Sequence, residues 1–217
     1  MLPSILVCCL LSYLLGSLPF GLWVGLWWKG IDIRTLGSKN IGATNVWRVL
    51  GCGPGVTVFM LDTAKGAAGI AFARFLLGPS RTQGAEIWLP ILIGFLAIAG
   101  HTFSVFLRFK GGKGVATTLG ALLALNLLLA VLILAIWVLC VTLTRYVSVG
   151  SLVAGAATPF VAYFLLRSHY PAECWWMVEL GVVVALLVTV KHRGNIKRLL
   201  AGTEAKVGRG QAVSSDG

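Results

Sequence analysis

The chain has 217 residues, of which 58% are hydrophobic and only 12% charged, and its mean hydropathy of +0.90 excludes a water-soluble domain. Its 18 Lys and Arg against 7 Asp and Glu give a net charge of +11, which in a membrane chain serves orientation by the positive-inside bias or attraction of anionic lipids and substrates. No soluble face is large enough for a nucleic-acid-binding domain, and the five cysteines (Cys8, Cys9, Cys52, Cys140, Cys174) form no CxxC pair and read as small core residues.

Residues 2–28 are apolar, too long for a signal-peptide core and with no basic residue ahead of them, so they predict a spanning helix. Lys29 follows at once, which places residue 29 inside and the N-terminus outside. Further apolar stretches run over 54–78, 86–100, 115–143, 147–166 and 174–190. Three glycine-rich interruptions are basic: 29–51 with Lys29, Arg34, Lys39 and Arg48; 101–114 with Arg108, Lys110 and Lys113; and the tail with Lys191, Arg193, Lys197, Arg198, Lys206 and Arg209. All three are expected on the cytoplasmic side, with the turns 79–85 and 167–173, one Arg each (Arg81, Arg167), outside.

Parity then constrains stretch 115–143, because two cytoplasmic segments are separated by an even number of crossings. A hairpin of two short helices turning near Asn126 satisfies it; one long tilted helix does not. The expected architecture is an all-α, polytopic membrane protein of seven transmembrane helices, some short, with the N-terminus out and the C-terminus in. Residues 1–217 form a single domain, with 211–217 expected to be a flexible tail. Asp62 and Lys65, three apart within 54–78, are expected to pair with each other, since a lone charge in hydrocarbon is costly.

Chemistry concentrates in the polar segments. The first reads Gly37-Ser-Lys-Asn-Ile-Gly-Ala-Thr-Asn-Val-Trp-Arg48: either its glycines and its hydroxyl, amide and guanidinium donors wrap an oxyanion, or its Ser, Asn and Thr cap the next helix. The second contains Lys110-Gly-Gly-Lys-Gly-Val-Ala-Thr117, a glycine turn feeding a helix N-terminus with two lysines beside it, which in physical terms is a phosphate cradle. It is no Walker A motif, since Leu107 stands where the first glycine belongs and Gly114 where Ser or Thr does. His101, at the edge of this loop, either exchanges a proton or serves structure. The third segment, His192-Arg-Gly-Asn-Ile-Lys-Arg-Leu-Leu-Ala-Gly-Thr-Glu204, predicts a short interfacial amphipathic helix. No His-x4-Asp signature, Ser-His-Asp set or metal cage is apparent, so any chemistry rests on positioning and cationic stabilisation of an already activated substrate.

Taken together, 37–48, 100–117 and 192–204 resemble the three motifs of the PlsY family, bacterial acyl-phosphate:glycerol-3-phosphate acyltransferases, in order, spacing and membrane setting. Two positions depart from it: Lys39 stands where the family often has glycine, and Ser104 where it often has proline. The resemblance implies transfer of a fatty acyl group from acyl phosphate to the 1-hydroxyl of glycerol 3-phosphate, giving lysophosphatidic acid and phosphate. It implies no metal or cofactor, a multi-pass location in the bacterial cytoplasmic (inner) membrane, and an active site facing the cytoplasm. Membrane lipid and the soluble enzyme that makes acyl phosphate are the implied partners. By matching position, Ser38 and Lys113 are expected among the catalytic groups, with His101 catalytic or orienting. Arg48, Asn45, Asn195, Ser148 and His192 are expected to bind substrate, and Gly111, Gly112 and Gly114 with Thr117 to cradle the acyl-phosphate head. A small multi-pass transporter of an anionic solute is the competing reading; it would set its polar groups near the midplane on broken helices, whereas here they gather in loops on one side.

Overall fold

The computed structural model describes residues 2–207 except 79, 81 and 83–85; Arg81 and the tail 211–217 lie outside the described residues. Among the described residues ten α-helices follow one another: α1 Leu2–Ser17, α2 Phe20–Lys29, α3 Ala43–Leu50, α4 Cys52–Leu77, α5 Trp88–Thr102, α6 Val115–Leu125, α7 Leu127–Thr144, α8 Val147–Leu166, α9 Pro171–Lys191 and α10 Arg193–Leu200. Among the described residues, six stretches are long and apolar enough to cross a bilayer: Leu2–Lys29, Cys52–Leu77, Trp88–Leu107, Leu127–Thr144, Val147–Leu166 and Pro171–Lys191. The expected seventh, α6, has 11 residues, about 16 Å of helix against a hydrocarbon core of about 30 Å.

Stretch 115–143 is therefore not one long helix. The chain leaves helical geometry at Asn126 (φ −151°, ψ 106°), whose side-chain oxygen accepts from the Leu129 N–H and caps α7. Gly120 does not break α6; instead it lets α6 and α4 touch backbone to backbone. A Cβ at Gly120 would strike the Thr63 carbonyl on α4, and one at Gly66 would strike the Thr117 carbonyl on α6. This reciprocal small-residue crossing is the close packing favoured where lipid, and not water, surrounds the helices. The first span is also interrupted. Pro19 has no N–H to continue the ladder, and α1 gives way to α2 there. α7, by contrast, turns Leu128, Val131, Leu139 and Leu143 outward, as a lipid-facing helix does.

The basic segments close onto one end of this bundle. Loop 30–42 packs Ile33 and Ile41 into a small core with Val46, Leu50 and Val58, and the predicted amphipathic helix near 195–200 is α10. Both departures from the family pattern have a structural reading. Ser104 is buried, and its hydroxyl donates to the Ser17 carbonyl at the end of α1, a tie proline cannot make. Lys39 sits at φ 56°, in the left-handed region that costs a side-chain-bearing residue roughly 1–2 kcal/mol and glycine little. Lys39→Gly is expected to raise the melting temperature of the detergent-solubilised protein, by roughly the equivalent of 0.5–1 kcal/mol; an unchanged or lowered value counts against strain at this position.

Candidate functional site

The loop before α3 is held by one side chain. Asn45, buried on α3, donates from Nδ2 to the carbonyls of Ile33, Leu36 and Asn40 at 3.1, 3.1 and 2.9 Å, and its Oδ1 accepts the Ser38 N–H at 2.7 Å. With its amide fully engaged by its own loop, Asn45 shapes the segment that presents Ser38. A Cβ at Gly37 (φ 57°) would run into Asn45 Oδ1, so the turn needs glycine for both conformation and space. One turn beyond Asn45, Arg48 donates to the Ala205 carbonyl at 3.2 Å, joining the first polar segment to the third.

The second segment contributes Lys113 and the glycine loop. Gly114, at φ 81°, caps α6 in the left-handed conformation, and Lys113 Nζ donates to Asn195 Oδ1 at 2.6 Å. Asn195 Nδ2 in turn donates to Glu204 Oε1 at 2.6 Å; Ser148 Oγ donates to the same oxygen at 2.9 Å, and Arg198 Nε donates to Glu204 Oε2 at 2.7 Å. Glu204 thus gathers α8, α10 and, through Asn195, the glycine loop around one buried carboxylate. No spacing in the sequence marks Glu204 as a hub; its one local signal is that a carboxylate, in a chain with seven Asp and Glu, closes the third motif.

His192 is buried beneath this network. Its Nδ1 lies 2.8 Å from the Val188 carbonyl; a carbonyl only accepts, so the proton sits on Nδ1 and Nε2 is left as an acceptor. Burial first, and then the nearby Lys113 ammonium, push the imidazole down to about 4, so it is neutral at physiological pH. Burial likewise lowers Arg48 from its usual value, against the pull of Glu204. Lys113 is pushed down to about 8, by burial foremost, with Glu204 opposing and Arg198 and Arg48 adding to the drop.

These groups line the mouth of a cavity of about 650 Å³. Ser38, Arg48, Lys113, Ser148, Asn195 and Glu204 border its polar end, while Leu122, Ile133, Trp137, Ala154, Val184 and Val188 line an apolar extension between the helices. Asn45, Gly114, His101 and His192 also border it. Gly111, Gly112 and Thr117 do not: Gly111 faces a second cavity of about 540 Å³ with Arg34, Lys39, Arg108 and Lys110. Gly112 is buried against His101, and Thr117 is buried, its hydroxyl without a hydrogen-bond partner among the described residues. A cationic mouth leading to an apolar chamber suits an amphiphile with an anionic head.

Residues 6–202 match the family model described as Glycerol-3-phosphate acyltransferase. A glycerol-3-phosphate acyltransferase of Gloeobacter violaceus is 43% identical over 197 residues, covering 91% of this chain and 92% of the relative. One from Shouchella clausii is 42% identical over 213 residues, 98% and 100% of the two chains. The crystal structure of PlsY, an integral membrane glycerol 3-phosphate acyltransferase, in its glycerol 3-phosphate form, superimposes with a TM-score of 0.82 at 37% identity, covering 94% of this chain and 96% of that one. The chain belongs to the PlsY family of glycerol-3-phosphate acyltransferases. It is an integral membrane acyltransferase, and the lysophosphatidic acid form of the same PlsY matches it with a TM-score of 0.78.

In this PlsY-family protein the half-buried lysine Lys113 carries a pH signature. Protonated below about 8, Lys113 is neutral above it and attracts an anion no longer. Its kcat/KM for glycerol 3-phosphate is therefore expected to be level near neutrality and to fall about tenfold per pH unit well above 8. Lys113→Arg, which stays charged, should lose that alkaline limb whatever its absolute rate; a limb unchanged in Lys113→Arg assigns it to another group.

Proposed function

We propose that the donor is acyl phosphate and that the acyl group passes directly to the 1-hydroxyl of glycerol 3-phosphate. The observation that carries this reading is the cavity: a mouth bordered by Arg48 and Lys113 opens into an apolar chamber between helices. Two phosphorylated molecules meeting there repel each other, and like charges about 4 Å apart cost about 4 kcal/mol per unit pair at an effective dielectric of 20. Arg48 and Lys113 offset that repulsion. Acyl phosphate is a mixed anhydride, already activated, so no protein nucleophile is required.

In this reading the glycerol oxygen bonds to the acyl carbon while the bond from that carbon to the phosphate oxygen breaks; the hydroxyl proton passes to a phosphoryl oxygen, and inorganic phosphate leaves. Ser38, Arg48, Lys113 and Asn195 hold glycerol 3-phosphate, with Ser148 and His192 fixing Asn195 and Lys113 through Glu204 and burial. The glycine loop receives the donor phosphate at its Gly114 end, where it borders the cavity and starts α6, with Gly111 and Gly112 packed behind it against His101, which orients the loop. Asn45 acts by shaping the loop before α3, and Thr117 by packing α6 against Gly66 of α4. The acyl chain lies along the apolar extension toward Trp137 and Val184.

The same reading has seven crossings, the short α6 and the full-length α7 forming the pair on either side of Asn126, with the N-terminus outside and the polar mouth facing the cytoplasm of a bacterial inner membrane. The soluble producer of acyl phosphate would deliver it at that face. Purified protein in detergent micelles, with no sealed compartment, is expected to form lysophosphatidic acid and phosphate one to one, and acyl phosphate alone is expected to release no burst of phosphate and leave no acylated protein by intact mass. A stoichiometric burst with acyl-protein would contradict direct transfer, and solute uptake without product would favour a transporter.

A further inference from the structure

Asp62 and Lys65 lie on α4, outside all three sequence motifs, yet both are almost wholly buried, at 2% and 4% exposure, and Asp62 borders the same cavity as the motif residues. Lys65 Nζ touches Asp62 Oδ1 at 2.8 Å and donates to the Leu18 carbonyl at the α1–α2 break at 2.7 Å. Pairing alone would neutralise two charges in the membrane. But the carboxylate has a third neighbour: His101 Nδ1, on α5, lies 3.6 Å from the same Oδ1. His101 is also buried, and its Nδ1 has no hydrogen-bond partner among the described residues, while Asp62 Oδ1 is met at close range by the Lys65 ammonium. A buried imidazole nitrogen that faces a carboxylate oxygen one short movement from bonding is costly to leave unpaired.

His101 in turn holds the glycine loop from two sides. The Gly112 N–H donates to the His101 carbonyl at 3.0 Å, and the imidazole lies so close that a Cβ at Gly112 would collide with Nε2, and one at Gly111 with the His101 carbonyl. The imidazole is therefore wedged between the carboxylate and the loop. Any rotation of the ring away from Asp62 presses on Gly112 or opens the space beneath it.

We infer that Asp62 is a positioning residue for the donor-phosphate loop, acting through His101. This rests on the proposed reading that the glycine loop receives acyl phosphate at its Gly114 end. When the donor phosphate settles on the loop, the 3.6 Å gap between Asp62 and His101 closes to a hydrogen bond, as separations that are long without ligand commonly do, and the imidazole is fixed beneath Gly112. Lys65 keeps the carboxylate aligned while tying it to the α1–α2 break.

The test is steady-state kinetics of Asp62→Asn with each substrate varied in turn. The expected result is a KM for acyl phosphate raised about tenfold, with kcat and the KM for glycerol 3-phosphate each within about twofold of wild type, a split a general loss of folding would not produce. Because Asp62→Asn leaves Lys65 buried without its partner, the neutral pair Asp62→Asn with Lys65→Gln is measured alongside and is expected to show the same selective rise. An unchanged KM for acyl phosphate, a fall in kcat alone, or equal rises in both KM values overturns the inference; so does failure of both variants to fold, which would make the cluster a folding element only. A wild-type protein that uses no acyl phosphate sinks the functional reading itself, and the inference with it, whereas an active wild type with an indifferent Asp62→Asn sinks the inference alone.

Discussion

Lys113→Met is expected to lower kcat/KM by about 10²–10³ while leaving the fold intact. Lys113 links the glycine loop to the third polar segment through its 2.6 Å bond to Asn195, and it borders the cavity mouth together with Arg48. Removing it takes away a charge-assisted contact and leaves the mutual repulsion of two phosphates less compensated. Arg48→Met is expected to fall by a similar factor. The double variant should fall by less than the product of the two, because residues that serve one charged site do not act independently. Loss in the single variants is read as kcat/KM for glycerol 3-phosphate; wild-type values in both would remove the site from this cavity.

The second large effect is expected at Glu204. Its carboxylate accepts from Ser148, Asn195 and Arg198, and Glu204→Gln puts an amide donor among three donors. Leaving such partners unmatched costs about 2–4 kcal/mol, visible as a lower melting temperature in detergent. Activity should fall as well, since Asn195 and Lys113 lose their anchor. The carboxylate also has a pH signature. Burial opposes its charged form, but hydrogen bonds from Asn195, Arg198 and Ser148 outweigh it and hold the group below its ordinary value of 4.5. A group depressed on folding stabilises fully above that ordinary value, and the contribution is lost as pH falls through the lower, folded one. Wild type should therefore lose stability in acid by a component that Glu204→Gln lacks. If the two melting profiles run parallel through the acid range, Glu204 is not the knot of the network.

The sequence made the helices legible where hydropathy alone decides them. The spans at 54–78, 147–166 and 174–190 correspond to α4, α8 and α9 within a few residues. Asn126 was readable as a break because an amide in an apolar run finds a capping role at low cost. The interruption at Pro19 went unread: both sides are apolar, so hydropathy runs straight across it. In the site, Lys113, Asn195 and Arg48 stood out as polar groups without a lipid-facing purpose, and the structure gathers them at one mouth. Asn45 looked the same in sequence, but its amide is turned inward to its own loop. Only the packed backbone distinguishes an amide that offers its hydrogen bonds from one that has already used them. Glu204 and Asp62 were the harder cases. Each acts on a residue distant in the chain, Ser148 for one and His101 for the other, and no local spacing encodes such a meeting.

The excess of positive charge can now be divided between two tasks. Lys197 and Arg193 are exposed on α10 and suit orientation and lipid contact. Arg48 and Lys113 are half-buried at the cavity mouth, where orientation requires nothing of them.

The most direct test of the account is a donor comparison with the purified protein: acyl phosphate, acyl-CoA and acyl carrier protein thioester, each offered with glycerol 3-phosphate, with lysophosphatidic acid and phosphate quantified. Product from acyl phosphate, matched one to one by phosphate, is the expected result; product from acyl-CoA alone would contradict it.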